Sequence, residues 1–460
     1  MSVNFQYSVE NLGNIEKAEI TVKPLTVIAG ENSSGKTFIT KTLYTILNTV
    51  ASPLFVDILK QRLDVLDDRF NMFVGKFSKF INSTQKDIDF YTTIHENIEE
   101  YQLIIRDLES LQLFELEKSI EIYKDKLIPH MFFANEYLEN GKKYKKYKNI
   151  IPTLEELIES QQIFIATFKN FDIVLANSIS NKLSDGFKKN FQITDINALI
   201  KSDQKTSKLF IDTVGEVLLE NKSELEFSFT KTGIDVVQNL SNIVFFDSPV
   251  YTKIRRALDN VRKPITLRQL SSKYLAGYPE YIEELYGYID QKYIDIPDFN
   301  EISKDIQALI SGKLDVQSGG EIVYEEKSGH RIPLSLTAMG IGNIGVIEML
   351  LRNNTINKGS FLIMDEPEAH LHPLWQVELA KFLYQLAKNG ANVIIATHSL
   401  DLLKAFQVMM EDNKEEAEKY IAINKMPYTQ EFAQLGEYEK INTILDDLSA
   451  PYYNLYTRAL

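Results

Sequence analysis

Residues 30–37 read GENSSGKT and directly follow the apolar run 25–29, and this combination constrains the fold more than any other feature of the chain. Glycines allow backbone N–H groups to converge on phosphate oxygens, and a helix that begins there adds a favourable dipole. Residues 38–47 place their apolar side chains on one helical face. The order strand, glycine loop, helix predicts a phosphate-binding loop in an α/β fold, and the alternative is an ordinary helix-capping turn.

The spacing of this loop matches G-x4-G-K-[ST], the pattern of a loop that binds a nucleoside triphosphate. Lys36 is expected to neutralise the β and γ phosphates of ATP, and Thr37 is expected to hold Mg²⁺. The predicted nucleotide-binding residues are Gly30, Asn32, Ser33, Ser34, Gly35, Lys36 and Thr37.

A second apolar run, 361–364, ends in two acids, Asp365 and Glu366. Open α/β sheets bind ligands at the carboxyl ends of their strands, so these acids are expected at the phosphate end of the site. Asp365 is predicted to bind Mg²⁺, and Glu366 is predicted to polarise the attacking water. The alternative is a strand exit with two solvated acids.

A third apolar run, 393–396, is followed by Thr397 and His398, which are expected at the same edge of the sheet. We predict a catalytic role for His398 as a hydrogen-bonding partner of the γ phosphate or of the attacking water, although a lone histidine is more often structural. His370 and His372 lie beside an acid and raise the alternative of a metal site. Side chains two residues apart do not converge unaided, so a metal site there is disfavoured.

The bulk composition limits the class of protein. With 460 residues, 44% hydrophobic and 25% charged, the chain is long enough for two or three domains with real cores. No apolar run approaches the length of a membrane span, and the first residues do not resemble a secretion signal, so we expect a cytoplasmic protein without membrane contact. The absence of cysteine excludes disulfides and thiolate chemistry. A net charge of −14 argues against a generally basic, DNA-coating surface.

The pattern along the chain predicts four segments. Residues 1–50 and 313–460 are interpreted as two parts of one α/β sheet, the second with a helical tail. Residues 51–212 are interpreted as a helical insertion and 213–312 as a mixed segment. Apolar residues in 94–127 follow heptad spacing with an interruption near Leu111, which leaves either an arm of roughly 50 Å or a compact bundle.

Three stretches, VENLGNIEKAEITVKPLTVIAGENSSGKT, FLIMDEPEAHLHP and NVIIATHSL, together resemble the ABC-type ATPase heads of the SMC, RecF and OLD-like group. Within that group the chain is most similar to stand-alone anti-phage defence ATPases, such as AriA of PARIS and PtuA of Septu. The resemblance covers about 1–48 and 313–425, less than half of the chain.

The resemblance implies a signature segment that contacts the γ phosphate held by a partner subunit, and hence a homodimer or a higher homo-oligomer. The matching residues are Thr337, Ala338, Met339, Gly340, Ile341 and Gly342. Members of the group usually carry serine just before the glycine, where this chain has alanine and methionine. Backbone N–H groups would then supply most of the contact, so hydrolysis is expected to be slow.

The resemblance also implies a sensor or scaffold that controls a separate effector, a nuclease in the defence systems, in response to a phage trigger protein. The alternatives are an ATPase fused to its own nuclease, a transport ATPase, and a DNA-repair or chromosome-associated ATPase that binds DNA directly. The chain after His398 is short for a fused nuclease domain. Two basic patches, 142–148 and 253–268, leave direct nucleic-acid binding open, although such patches are usually solvated faces.

Overall fold

The computed structural model describes residues 4–77, 84–109, 111, 113–221, 224–230, 240–262, 277–292, 297–318 and 320–458. The chain divides into two compact units. The sheet unit comprises Met1–Ala51 and Ser180–Leu460, and the helical unit comprises Ser52–Ile179. The predicted helical insertion therefore starts where expected but ends earlier than residue 212, because the strand that begins at Thr206 pairs with the first strand of the chain.

The strands are β1 (Phe5–Leu12), β2 (Ile15–Val22), β3 (Leu25–Gly30), β4 (Thr206–Ile211), β5 (Gly215–Glu220), β6 (Glu224–Phe229), β7 (Ile243–Phe246), β8 (Gly312–Val316), β9 (Ile322–Glu326), β10 (Arg331–Pro333), β11 (Phe361–Asp365), β12 (Asn392–Thr397) and β13 (Ile421–Met426).

The helices are α1 (Lys36–Ala51), α2 (Leu54–Phe77), α3 (Gln85–Glu109), α4 (Leu113–Lys142), α5 (Ile151–Lys169), α6 (Phe171–Phe191), α7 (Val250–Arg262), α8 (Glu280–Asp290), α9 (Asn300–Ile310), α10 (Met339–Arg352), α11 (Pro373–Lys388), α12 (Leu400–Asp412), α13 (Lys414–Tyr420), α14 (Gln430–Ala433) and α15 (Glu437–Arg458).

A parallel sheet with the order β13-β3-β12-β11-β7 forms the centre of the sheet unit. Every residue of β3, β11 and β12 is buried, as expected for continuously apolar strands covered on both faces. Because β3 lies between β12 and β13, the two ends of the chain build one sheet, and the predicted α/β architecture with a large helical insertion is confirmed. The parallel order brings the carboxyl ends of β3, β11 and β12 to one edge.

A second, antiparallel sheet has the order β2-β1-β4-β5-β6. It contains the hairpin of β1 and β2, whose register pairs Leu12 with Ile15 across the turn. A third, small antiparallel sheet consists of β8, β9 and β10. The turn between β1 and β2 lies beside the glycine loop, where Asn14 donates a hydrogen bond to Ser33 O.

The helical unit is a compact bundle rather than a single long arm. α3 ends at Glu109 and α4 begins at Leu113, so the chain reverses at the interruption of the heptad pattern. Tyr101 of α3 packs against His130 of α4, and Phe90 stacks on Tyr137, which shows that the two helices run antiparallel. No single described helix is long and apolar enough to cross a membrane; only α1 and α2 taken together across a bend meet that criterion of length and composition.

Candidate active site

Two glycines shape the predicted phosphate loop because side chains would not fit there. A Cβ on Gly30 would lie 2.1 Å from the carbonyl oxygen of Met426, on the neighbouring strand β13. Gly35 has a φ of +99°, and a Cβ there would lie 2.7 Å from Ile15 Cγ1. The loop therefore packs closely against β13 and the first hairpin, and only glycine permits both approaches.

The backbone of the loop is supported from outside. Asn14 Nδ2 donates a 2.8 Å hydrogen bond to the carbonyl of Ser33, whose φ is +63°. The Ser34 hydroxyl is buried and has no hydrogen-bond partner among the described residues. A hydroxyl that is free in this way is suited to a phosphate oxygen. α1 carries no acid in its first turn that would compete for its N–H groups.

Lys36 is the first residue of α1 and is only 6% exposed. Its Nζ donates 2.8 Å hydrogen bonds to the carbonyls of Gly30 and Glu31. Burial lowers the pKa of the ammonium, and the nearby acids at and after the end of β11 oppose this effect. The hydrogen bonds to these carbonyls fix the ammonium beside the glycine loop, where its charge would stabilise a bound phosphate.

Asp365 and Thr37, the two predicted metal ligands, are brought together. Asp365 is 8% exposed, and burial raises the pKa of its carboxyl group. The Thr37 hydroxyl lies close enough to the carboxylate to oppose that rise. Oδ1 of Asp365 is buried and has no hydrogen-bond partner in the described part of the chain. An unsatisfied buried carboxylate oxygen beside a hydroxyl fits a divalent cation.

A second carboxylate, Asp247, lies at the same place and was missed in the sequence. It follows β7 directly and stands one strand across from Asp365, since the register pairs Phe246 with Met364. The Tyr281 hydroxyl donates to its Oδ2, whereas no well-aligned donor for its buried Oδ1 exists among the described residues. Burial raises the pKa of Asp247 as well. The signal was available, because IVFFD repeats the form of FLIMD: an apolar strand that ends in an acid.

These residues suit Mg²⁺ bound together with phosphates. The described residues contain no group of three or more histidines, cysteines or acids that could hold a metal without help. Mg²⁺ usually takes one or two carboxylates and completes its octahedron with water and substrate phosphates. The Thr37 hydroxyl and the Asp365 carboxylate are the groups that would hold it, with Asp247 beside them, and the bound cation would neutralise phosphate charge.

Glu366 and His398, the two predicted catalytic residues, face each other. Nδ1 of His398 lies 3.4 Å from Oε1 of Glu366, and both side chains are partly exposed. Glu366 has a φ of +51°, an uncommon value for a residue with a side chain. Its N–H donates to Ala396 O of the adjacent strand at 2.9 Å, so the strained turn is fixed to β12. The arrangement can polarise a water molecule at the mouth of the site.

Glu368, also missed in the sequence, lies beneath this pair. It is 7% exposed, and its Oε1 accepts a 2.6 Å hydrogen bond from the Thr397 hydroxyl. A cavity of about 620 Å³ opens beside it and is lined in part by Asn32 of the glycine loop, by Gln376 and by His398. The predicted loop residue Asn32 thus faces the same cavity as the predicted catalytic histidine.

The alternative metal site at His370 and His372 is not formed. His372 precedes α11, and its Nδ1 accepts a hydrogen bond from Leu374 N, so it caps the helix. His370 adopts a φ of +64° in the loop before it. The structure gives both histidines a place in the turn and brings no third ligand to them among the described residues.

The signature-like segment forms the amino end of α10. Ala338 occupies the N-cap position, and its side chain makes no capping hydrogen bond. A Cβ on Gly340 would lie 3.0 Å from His370 O, so the segment packs against the loop after β11. No hydrogen bond or ion pair joins 337–342 to the glycine loop within the residues described.

The described parts of the two basic patches are only partly occupied, and Lys143, Lys145 and Lys148 of the first patch are exposed. In the first, Lys142 pairs with Glu139 and Glu155, at 3.0 and 3.3 Å. In the second, Arg255 is 5% exposed and forms an ion pair with Asp290, so it is structural. Residues that lie outside the description, in whole or in their side chains, are Lys146, Arg256, Arg262, Lys263 and Arg268.

The chain is similar to several solved structures. An SMC head domain from Thermotoga maritima is 9% identical, with 87% of this chain and 91% of that chain covered and a TM-score of 0.33. An Smc head domain with a coiled coil and joint from Pyrococcus yayanosii is 13% identical, with 97% and 99% covered and a TM-score of 0.32. CbiO1 from Clostridium perfringens, part of the ABC transporter complex cbiONQ, is 16% identical, with 60% and 84% covered and a TM-score of 0.23. No curated protein sequence matches the chain.

The glycine loop, the acid-terminated strand and the histidine after β12 meet at one edge of a parallel sheet. The family model described as "AAA ATPase domain" (AAA_15) matches residues 6–403, which include all three. The chain is therefore a P-loop ATPase that belongs to the AAA ATPase domain family.

Proposed function

We propose that this ATPase pairs with a second copy of itself around ATP and acts as a slow switch that controls a separate effector. The observation that carries the proposal is the amino end of α10. Its N-cap residue makes no side-chain capping bond, and no hydrogen bond joins it to the glycine loop among the described residues. A helix terminus of this kind binds anions, so a γ phosphate held by another subunit is a suitable partner.

Within one subunit, the proposed hydrolysis proceeds through three groups. Lys36 and the loop N–H groups hold the phosphates, while Thr37 and Asp365 hold Mg²⁺. Glu366 takes the proton of the attacking water, and His398, 3.4 Å away, orients that water or the γ phosphate. The absence of serine before Gly340 leaves mostly backbone donors for the partner's phosphate, which supports a slow reaction.

The surface around the signature segment supports pairing with a second copy. Leu336, just before the segment, is 77% exposed, and Leu374, in the first turn of α11, is 60% exposed. Val250 and Ile254 of α7 are also exposed, and α7 is tied to the segment by the 2.5 Å hydrogen bond from Lys253 Nζ to Thr337 O. Exposed apolar side chains around a polar anion site are typical of a protein interface.

The effector is proposed to be a nuclease and the trigger a phage protein, by the resemblance to stand-alone defence ATPases. A long-lived ATP state can hold an assembly until a trigger arrives, which suits a slow enzyme. The alternative, an ATPase of DNA repair or chromosome organisation that binds DNA directly, would draw on the basic patches. The pairing of Lys142 and the burial of Arg255 remove two cations from those patches, whereas Lys143, Lys145 and Lys148 remain exposed.

Light scattering with Mg²⁺ and ATP tests the pairing. We expect Glu366→Gln to form dimers or larger assemblies at micromolar protein, because ATP binding is retained while turnover stops. Leu336→Glu in the same background should return the protein to monomers. The matched control is Ile122→Glu, which changes an equally apolar residue that is 69% exposed in the helical unit.

A monomer in all variants at saturating ATP would rule out the pairing. Cleavage assays with linear DNA, supercoiled DNA and transfer RNA test the second part of the proposal. Purified protein alone should leave all three substrates intact. Cleavage that is lost on substituting residues outside the nucleotide site would show that the chain carries its own nuclease.

A further inference from the structure

Glu368 contacts the last residue of β12, Thr397, and the predicted catalytic residue that follows it, His398. Its Oε1 accepts hydrogen bonds from the Thr397 hydroxyl at 2.6 Å and from His398 N at 3.2 Å. The same oxygen lies 3.8 Å from Nδ1 of His398. One buried carboxylate oxygen therefore fixes the end of the strand and the backbone of the histidine that follows it.

The loop that carries Glu368 is held in turn by α10. Asn343 is 1% exposed, and its Nδ2 donates to the carbonyls of Pro367 and Ala369, at 2.9 and 3.1 Å. These two carbonyls flank Glu368 in the chain. A continuous set of hydrogen bonds thus runs from the signature helix through the loop to His398.

We propose that Glu368 is a positioning residue that holds His398 at the phosphate edge of the site, and that Asn343 holds Glu368. The proposal rests on the proposed hydrolytic function of this site. The His398 side chain is 42% exposed, so its own packing does not hold it in place. Without Glu368, the Thr397 hydroxyl and the His398 N–H lose their acceptor, and the imidazole is free to turn away from the γ phosphate.

The substitutions Glu368→Ala and Glu368→Gln separate positioning from charge. Alanine removes the acceptor, whereas glutamine keeps one carbonyl oxygen that can accept both hydrogen bonds but carries no charge. If Glu368 acts as the acceptor that positions His398, glutamine rescues the loss caused by alanine. If its charge acts on the reaction directly, the two variants are equally impaired.

Steady-state ATPase kinetics on the full chain provide the first measurement. We expect Glu368→Ala to lower kcat about 10-fold or more with KM within about 2-fold of the wild type, because nucleotide binding is left intact. Glu368→Gln should recover to within about 3-fold of the wild-type kcat. Asn343→Ala should lower kcat in the same direction by a smaller factor.

Two further variants keep the test decisive. Thr397→Val removes one donor to Glu368 and should lower kcat about 3-fold. This variant tests the proposal even if Glu368→Ala does not fold. Glu348→Gln is the matched control: Glu348 is fully buried on α10 and contacts Ser303, Gln307 and Arg352 instead of the catalytic loop. It should leave kcat unchanged at temperatures where it is folded.

A second measurement does not depend on turnover. In the spectrum of histidine ring 13Cε1–H groups, six signals are expected, and the His398→Gln variant identifies the one from His398. Glu368→Ala should shift that signal and Glu368→Gln should restore it. An unshifted His398 signal, or equal loss of kcat in both Glu368 variants, would overturn the proposal. Absence of ATPase activity in the wild type together with the expected shifts would instead refute the proposed function.

Discussion

Asp247 and Asp365 end neighbouring parallel strands and lie side by side at the phosphate edge of the sheet. Each has one buried carboxylate oxygen without a well-aligned donor among the described residues. Burial raises the pKa of both carboxyl groups, the charge of Asp247 raises that of Asp365 further, and Lys41 opposes the rise in both. Two acids are costly to keep together in this way unless a cation compensates them.

From the proximity of Asp247 to Asp365 we predict that substitution of Asp247 weakens metal binding. Asp247→Asn keeps the shape and the contact with Tyr281 but removes one charge next to the cation site. We expect it to weaken Mn²⁺ binding about 10-fold in the presence of a non-hydrolysable ATP analogue, as measured by electron paramagnetic resonance. The affinity for the analogue without metal should be unchanged. Equal Mn²⁺ affinity in the variant and the wild type would place Asp247 outside the cation's surroundings.

The glycine loop gives a prediction with an internal control. Gly35→Ala places a Cβ 2.7 Å from Ile15 in a residue with a φ of +99°, so we expect loss of nucleotide binding and a lower melting temperature. Gly287 lies within α8, and a Cβ there would have no atom within 4 Å. Gly287→Ala should therefore stabilise the protein by roughly 0.5–1 kcal/mol. Thermal unfolding and binding of a fluorescent ATP analogue measure both effects.

Substitutions of Lys36 and Glu366, two charged residues of the predicted site, are expected to impair different steps. Lys36→Ala removes the buried ammonium and should weaken ATP binding by about 100-fold or more, because no other cation replaces it in the loop. Glu366→Gln should keep ATP binding and lower turnover by a similar factor. Isothermal titration and phosphate release separate the two. Full turnover by Glu366→Gln would remove Glu366 as the base.

Much of the sheet unit could be predicted from the sequence because its strands are continuous apolar runs with a glycine loop or an acid at the end. The joining of the two ends of the chain into one sheet followed from the same logic, whereas the position of β3 between β12 and β13 was not predicted. The boundary of the helical unit did not, since α6 has the same amphipathic pattern on both sides of residue 179. The boundary within α6 depends on which residues its side chains pack against, and the periodicity of apolar residues does not give this information.

The residues missed in the site share one property: their roles depend on contacts between distant segments. Asp247 acts through its neighbour on another strand, and Glu368 acts through Thr397 and His398. Asn14, which supports the loop at Ser33, is 19 positions away and looks like an ordinary turn residue. For Glu368 and Asn14 the residue type alone gave no reason for selection, whereas the acid at the end of IVFFD could have identified Asp247.

Glu284 of α8, which contacts the helix that follows the glycine loop, is expected to make a pH-dependent contribution to the stability of the fold. It accepts hydrogen bonds from Tyr44 and Asn48 of α1, with the Asn48 contacts at 2.9 and 3.1 Å. Burial raises the pKa of this carboxyl group, and the hydrogen bonds from Tyr44 and Asn48 only partly oppose the rise. The folded state therefore holds the proton to a higher pH than the unfolded chain. Stability is lost as the pH rises through the raised folded-state pKa.

Glu284→Gln removes this titration and retains a carbonyl oxygen that accepts from Tyr44. We expect the difference in melting temperature between the variant and the wild type to grow in favour of the variant between pH 5 and pH 8, by on the order of 2 °C. Glu301→Gln, which changes an 86% exposed side chain of α9, should show no such trend. Differential scanning calorimetry at several pH values measures both variants. A difference that shrinks as the pH rises would mean that the hydrogen bonds of Glu284, rather than its burial, control its ionisation.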